Sequence, residues 1–445
     1  MKTPKPLYWL ALTAALALAA CSKEDPAPTP EPNPEPEPEQ TEIVIEQTEY
    51  TLDADEERTA TVAFTATADW TLSVVYDDAE SSANWLSVTP MSGTAGEQTV
   101  ELSATRNFRA SARTAYADIA CGKQSVRLTV TQTAASGDTD FTAQFDPDFA
   151  KELQKQGIIA DAGNITPEDM EKIAAITSLD VSGTEDAPGA LTSLQGIEYF
   201  ESLTFLKCDS NQLTSLDVSA NTALTFLMCN SNQLTSLDVS ANTALTYLYC
   251  HSNQLTKLDV SANTALTYLS CSSNSLTSLD VSRNTALMNL SCYSNSLTSL
   301  DVSRNTALTD LWCESNQLTE LNVSANTALT QLVCNANQLT ELDVRQNTAL
   351  TGLWCYDNQL TKLDVRQNTA LTGLWCYDNQ LTKLDVSANT ALTWLSCENN
   401  PGDGVSTFPV TAWFDNETVP AGLNVHSSSW RYDGKTITID FRKAE

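Results

Sequence analysis

Between residues 203 and 400, apolar residues return at fixed places in a unit of 21 residues. The first copy, residues 203–223, reads L-T-F-L-K-C-D-S-N-Q-L-T-S-L-D-V-S-A-N-T-A. Further copies begin at Leu224, Leu245, Leu266, Leu287, Leu308, Leu329, Leu350, Leu371 and Leu392. Positions 1, 4, 6, 11, 14 and 16 are Leu, Leu, Cys, Leu, Leu and Val almost throughout. Strict self-similarity at this period predicts a solenoid, in which each coil buries its apolar side only against its neighbours. Alternation over positions 3 to 7 predicts a short parallel strand, with Leu at 4 and Cys at 6 pointing in. Positions 3, 5 and 7 then point out, onto a concave sheet. The return path, L-D-V-S-x-N-T-A, is too short for a full helix and predicts a tight arc of 3₁₀ or extended structure. Asn fills position 9 in every copy and position 19 from Asn221 to Asn389. Both columns are expected to turn the chain and bond the backbone of adjoining coils.

The rest of the chain follows other patterns. Residues 41–135 alternate apolar and polar in short runs, clearest at 59–66, 70–75, 99–104 and 125–132. Regular turn signals between these runs predict a small β-sandwich. A polar linker with Gly137 leads into residues 141–202, where helical patterns open at Asp148, as N-cap, and at Thr166-Pro167, with Gly157 as a stop. Leu179-Asp180-Val181-Ser182 matches the repeat's own L-D-V-S. A solenoid end exposes an apolar cross-section, so this segment is expected to cap it. Residues 401–445 read as short strands, with Trp413, Phe414 and Trp430 expected to cover the last coil. The predicted fold class is therefore mainly β: a sandwich, then about ten solenoid coils with a helical N-terminal cap and a β C-terminal cap.

The N-terminus adds a location. Lys2 and Lys5 precede a 14-residue apolar stretch, too short to span a bilayer but suited to a secretory signal. It ends in Leu18-Ala19-Ala20-Cys21, which resembles the lipobox of bacterial lipoproteins and implies a lipidated Cys21. Ser22-Lys23-Glu24-Asp25 resembles the surface-export signal of Bacteroidetes-type lipoproteins. Together they imply a lipid-anchored outer-membrane protein facing the cell exterior. Residues 26–40 alternate proline with glutamate and asparagine, a semi-rigid stalk that at ~3.1 Å per residue reaches roughly 45 Å.

Net charge is −32, which disfavours nucleic acid as a partner. Ten of the 12 cysteines occupy position 6. Stacked about one strand spacing apart with parallel Cβ vectors, they suit a disulfide poorly and read as small buried hydrophobes. Two histidines, His251 and His426, and the absence of a nucleophile motif, metal-ligand cluster or phosphate-binding loop argue against an enzyme. Carboxylates at Asp310, Glu314, Asp357 and Asp378 are the remaining candidates, and an open sheet offers them no closed pocket. No cofactor or metal is expected.

Two resemblances refine this. A-D-W at 68–70, N-W-L-S-V-T-P at 84–90, S-G-T-A-G at 92–96, R-T-A at 113–115 and V-R-L-T-V-T-Q at 126–132 together resemble the BACON domain, an immunoglobulin-like module. That family implies carbohydrate or mucin binding, or spacing beside a working domain. Trp70 and Trp85 are its candidate sugar platforms, against a reading as core residues. L-x-x-L-x-C-x-x-N-x-L with its cysteine column resembles the cysteine-ladder leucine-rich repeats of internalin-type adhesins and repeats of Bacteroidetes surface lipoproteins.

All 12 aromatic residues of the repeats fall in positions 3, 5 and 7: Phe205, Phe226, Tyr247, Tyr249, Tyr268, Tyr293, Trp312, Trp354, Tyr356, Trp375, Tyr377 and Trp394. An exposed aromatic row points to a covering ligand, since aromatic anchors dominate interface hot spots. The competing reading is ladder packing along the sheet. The function so expected is non-catalytic recognition of a protein or glycoprotein on the concave face. The alternatives are glycan capture for polysaccharide uptake, or a spacer without a ligand.

Overall fold

The structure is a computed structural model and describes residues 42–56, 58–76, 85–184 and 189–444. The signal segment, Cys21 and the stalk lie outside the described residues. Every repeat contributes one three-residue strand at positions 3 to 5, from Phe205–Lys207 to Trp394–Ser396. The strand is shorter than the five residues the alternation suggested, because the chain turns at position 8. That residue has left-handed φ in all ten coils, from Ser210 at 56° through Ala336 at 51° to Asn399 at 57°. The strands join in parallel and in strict register, so Leu206, Leu227 and Leu248 sit side by side. The sheet holds 12 strands: the ten repeats, Ser178–Asp180 before them and Asn424–Val425 after them. The return path consists mostly of turns, with an isolated parallel bridge between Asp217 and Asp238 and a two-residue strand, Leu384–Asp385, in the ninth coil.

Position 9 ties the coils together. The Asn316 side-chain amide donates to the carbonyls of Cys313 and Glu314 in its own coil and of Cys292 in the coil before. Its Oδ1 accepts the N–H of Leu297, also in the preceding coil, at 3.0 Å. The same four bonds recur at Asn232 and Asn400. Position 19 bonds less completely. The Asn242 Nδ2 donates to Val218 and Asn221, both in the preceding coil, but the Oδ1 atoms of this column find no donor. Inside, the leucines, valines and cysteines are almost fully buried and form one continuous core. All 11 described cysteines are free and buried, and burial pushes the repeat thiols up, to about 12 at Cys271 and Cys355.

Two helices, α1 (Pro147–Lys155) and α2 (Pro167–Ala175), close the N-terminal end. The N-cap of α1 is Asp146 rather than Asp148, accepting from the N–H groups of Asp148 and Phe149. Thr166 and Asp169 form a reciprocal capping box on α2. The match of residues 179–182 to the repeat's L-D-V-S misleads. Leu179 pairs with Leu206, so this segment takes the strand positions, with Val181 where the repeats have cysteine. Asn211 bonds to Val181 and Leu191 as it would to a preceding coil. At the other end, Thr407–Ala412 pairs in parallel with Leu384–Asp385, while buried Phe408, Phe414 and Trp430 join the core and Trp413 packs partly buried against it. Trp430 also donates its indole N–H to the carbonyl of Asn400.

Residues 42–135 form two facing sheets. One orders Ile43–Val44, Thr59–Ala66, Gly96–Ala104 and Leu86–Thr89, the other Glu49–Leu52, Gln124–Gln132, Arg113–Cys121, Trp70–Tyr76 and Ser92–Gly93. Trp70 and Trp85 are buried between them, so neither is an exposed sugar platform. Trp70 lies edge-on to Phe64, and the Arg113 guanidinium covers Trp85 at 4.7 Å. The loop after Gly96–Ala104 carries Phe108 onto the solenoid cap, edge-on to Tyr199 at 4.6 Å and Phe141 at 5.5 Å. Arg109 pairs with Glu201, and the Ser111 hydroxyl donates to Glu171.

Two stability outcomes follow from the ladder. Asn316→Ala strips a buried donor and acceptor from four backbone partners and is expected to cost about 2–4 kcal/mol in urea denaturation. Ala336→Gly relieves a left-handed alanine and is expected to stabilise by about 0.5–1 kcal/mol in the same assay.

Candidate functional site

Positions 3, 5 and 7 form the solvent side of the 12-stranded sheet, opposite the buried Leu and Cys columns. Ten of the twelve aromatic candidates touch another ring. Toward the N-terminus, Phe205 stacks on Phe226 at 4.4 Å, and Phe226 reaches Tyr247 and Tyr249. Tyr268 closes this group, stacking on Tyr249 at 4.6 Å and on Tyr247 at 6.2 Å. Toward the C-terminus, Trp354 stacks on Trp375 at 4.5 Å and Tyr356 on Tyr377 at 4.3 Å, both nearly parallel. Trp375 continues to Trp394 at 6.3 Å. These spacings follow from the sheet, which sets adjoining strands ~4.8 Å apart. Identical residues in register therefore stack by default, and ladder packing accounts for most of their burial.

Tyr293 and Trp312 lie between the two groups, and among the described residues no ring touches either. Trp312 is 39% exposed. Its register partners are Ser291 and Val333, which are too small to cover it. Tyr247, at 42%, is the other exposed aromatic of the repeats.

Sequence reasoning missed the role of two glycines. A Cβ at Gly352 would stand 2.4 Å from the Trp354 ring, and one at Gly373 would stand 2.4 Å from the Trp375 ring. Each indole leans along its own strand over the glycine at position 3, an approach that only glycine permits. The last coil has Trp394 at position 3 itself, so three indoles form one row. The signal was the repeated G-L-W of residues 352–354 and 373–375.

The polar residues of the face are unevenly satisfied. Its carboxylates are Asp209, Asp310, Glu314 and Glu398, against a single cation, Lys207, which pairs with Asp180 at 3.6 Å. Glu398 accepts from the Ser396 hydroxyl and faces His426 at 3.8 Å. Asp310 accepts from the Thr309 hydroxyl. Glu314 differs from these two, because its Oε2 is buried and accepts no hydrogen bond, a state it shares with Asp209 Oδ1. Burial raises its carboxyl above the ordinary range, and does the same to Asp209. The open sheet therefore does shift a carboxylate, contrary to the expectation from sequence, because neighbouring side chains desolvate it.

Asp357 and Asp378 occupy the left-handed position 8 and are exposed, away from this group. The Ser270 hydroxyl lies 3.2 Å from His251 Nδ1, and burial lowers the His251 pKa. The carboxylate acting on that histidine is Asp209, two coils away, about 10 Å by strand spacing. The pair thus lacks an orienting third group within hydrogen-bond reach. Among the described residues, no group of three potential metal ligands is present.

Comparison with known proteins matches this geometry. Residues 42–135 match the family model of the viral BACON domain. The repeats are internalin-like. The functional domain of InlJ from Listeria monocytogenes, which includes a cysteine ladder, is 42% identical with a TM-score of 0.57. The match covers 68% of this chain and 63% of that structure. An internalin, InlF, from Listeria monocytogenes is 23% identical (TM-score 0.42), covering 60% of this chain and 94% of that one. YopM, a leucine-rich effector protein from Yersinia pestis, is 24% identical (TM-score 0.43), covering 51% and 65%. No curated protein matches the chain. The resemblances read from the sequence, to a BACON domain and to internalin-type cysteine-ladder repeats, are borne out.

The desolvated Glu314 gives a pH signature. Its folded pKa is raised, so between the unfolded value and that higher value the folded chain binds more protons. Its contribution to stability therefore falls as pH rises through this window and stays unfavourable above it. Glu314→Gln is expected to raise the melting temperature at neutral pH and to remove this fall from the stability–pH profile.

Proposed function

We propose that the chain is a non-catalytic cell-surface binding protein whose concave solenoid face recognises a protein or glycoprotein. The observation that carries this reading is the sheet face itself, where the aromatics of the repeats line the solvent side around Trp312, whose ring touches no other ring among the described residues. A large aromatic left uncovered at the centre of a well-packed sheet is the form an interface anchor takes. Trp354, Tyr356, Trp375 and Tyr377 extend the surface as a stacked, rigid platform that loses little entropy on binding. The internalin-like repeats support a protein ligand in general. The Leu-Ala-Ala-Cys21 sequence and the proline-rich stretch after it support attachment to an outer membrane through lipid on Cys21, with the binding domains held outward.

Glycan capture is the second reading, favoured by the BACON match. Against it, the sandwich keeps Trp70 and Trp85 in its core and uses Phe108 to dock on the solenoid cap. That arrangement suits a fixed spacer.

The test uses the full mature chain on a panel of purified extracellular glycoproteins, each intact and enzymatically deglycosylated. Retention that survives deglycosylation and is lost in the Trp354→Ala/Trp375→Ala double variant is the expected result. Both side chains lie on the sheet face, so the fold should persist and is checked by an unchanged melting transition. Retention abolished by glycan removal would transfer the function to sugar recognition. Binding to several ligands that ignores the double variant would remove the sheet face from the reading.

A further inference from the structure

The proposed binding reading leaves open what chemistry the ligand presents, and the centre of the sheet face constrains it. Trp312 ends the strand Asp310–Trp312, with Asp310 two residues before it and Glu314 two residues after, just beyond the strand. Alternation puts all three side chains on the solvent side, each about 7 Å from the next along the chain. The inward Leu311 and Cys313 between them are fully buried. An exposed indole is thus flanked along its own strand by carboxylates on both sides. Among the described residues no cation pairs with either: Lys207, the one cation in the outward columns, lies five coils away and is already paired with Asp180.

The other acids of the solenoid provide the contrast. Asp217, Asp238, Asp259, Asp280 and Asp301 at position 15 each accept the N–H of the serine two residues on. Hydrogen bonds of this kind lower their pKa values, so this row is satisfied locally despite its density. Glu314, like Asp209 in the first coil, has a buried oxygen that accepts no hydrogen bond, and it alone of the two lies beside Trp312, which no ring touches among the described residues.

From this arrangement we infer that the Asp310–Trp312–Glu314 patch is the recognition centre for a guanidinium or ammonium group on a protein ligand, presented by an arginine- or lysine-bearing segment. The planar cation lies against the indole face and donates to the Glu314 carboxylate, with Asp310 adding charge from the other side. Arginine fits better than lysine, because its fork satisfies a carboxylate while its plane stacks on an aromatic ring. The net charge of −32 supplies long-range attraction for such a partner. The stacked rings on either side of the patch then contact the flanking residues of the segment.

The probe is a set of surface-immobilised peptides in matched pairs, each carrying arginine or its uncharged isostere citrulline at the same site. The full mature chain is expected to favour the arginine member, with Trp312→Ala and Glu314→Gln each lowering retention about tenfold. Glu341→Gln, which removes an acid of the return path, controls for bulk charge and should change little. Equal retention of arginine and citrulline peptides would overturn the inference. So would a loss in Glu341→Gln matching that in Glu314→Gln, since attraction would then be unspecific. Thermal melts of each variant separate lost binding from lost folding, and Glu314→Gln should melt higher than the parent. If arginine peptides are ignored while a deglycosylated protein is still retained through Trp354 and Trp375, the cation inference falls and the protein-binding reading stands.

Discussion

The side-chain amide at position 9 is the constraint on which the remainder of the solenoid depends. Hydrophobic burial drives the coils together, and each fully buried Leu or Val is worth roughly 1.5–3 kcal/mol. Burial is non-directional, however, and would tolerate a coil rotated or slipped against its neighbour. The amide does not tolerate it. Asn316 reaches two carbonyls of its own coil and both a carbonyl and an N–H of the coil before, and a one-residue slip breaks the last two. Position 19 repeats the device with only the donor half, leaving its Oδ1 atoms unbonded, so it is the weaker of the two constraints. The left-handed residue at position 8 belongs to the same construction, since it turns the chain immediately before the asparagine. Register fixed in this way carries outward. It stacks like on like at positions 3, 5 and 7, and it makes a face composed of columns rather than patches.

Both ends of the sheet are closed by imitation of a coil. Ser178–Asp180 pairs with the first strand, and Val181 offers Asn211 the carbonyl that a cysteine offers elsewhere. Asn424–Val425 pairs with the last strand, and Trp430 bonds the Asn400 carbonyl. The N-terminal closure is also where the sandwich is attached. Phe108 enters the aromatic group of Phe141 and Tyr199, while Arg109 and Ser111 meet Glu201 and Glu171. Apolar and charged contacts together join the two modules, and the sandwich's tryptophans remain within its own core. The sandwich therefore meets the solenoid cap through both kinds of contact at this junction.

Much of this was legible before any coordinate. A 21-residue period with Leu, Cys and Asn columns leaves almost no freedom in coil geometry, because every unit must solve the same packing problem against a copy of itself. What failed were places where one string can serve two roles. L-D-V-S at residues 179–182 looks like positions 14 to 17 of the repeat but is used as strand positions 4 to 7. Sequence identity does not reveal which side of a coil a segment will pair with, and Leu179 was claimed by the sheet edge that Leu206 left open. Asp146 rather than Asp148 caps α1, because Pro147 suits the first helical turn. At the face, the columns were visible but ring contacts were not. Whether an aromatic is covered depends on the size of its lateral neighbours, and these come from other repeats.

That dependence on neighbours explains why the middle of the face differs from its flanks. Where adjoining coils repeat the same outward residue, rings cover rings, as at Trp354 and Trp375 or Tyr356 and Tyr377, and the surface satisfies itself. Where the outward residue changes between coils, a large side chain meets small ones. Ser291 and Val333 beside Trp312 are such a change, and the adjoining Glu314 is desolvated with its Oε2 left unbonded. Duplication thus builds stability and divergence builds unmet demand, on the same scaffold and without touching the core. A position that the fold leaves uncovered and an oxygen that the fold leaves unbonded, two residues apart on one strand, define together a ligand that is flat, cationic and rich in donors.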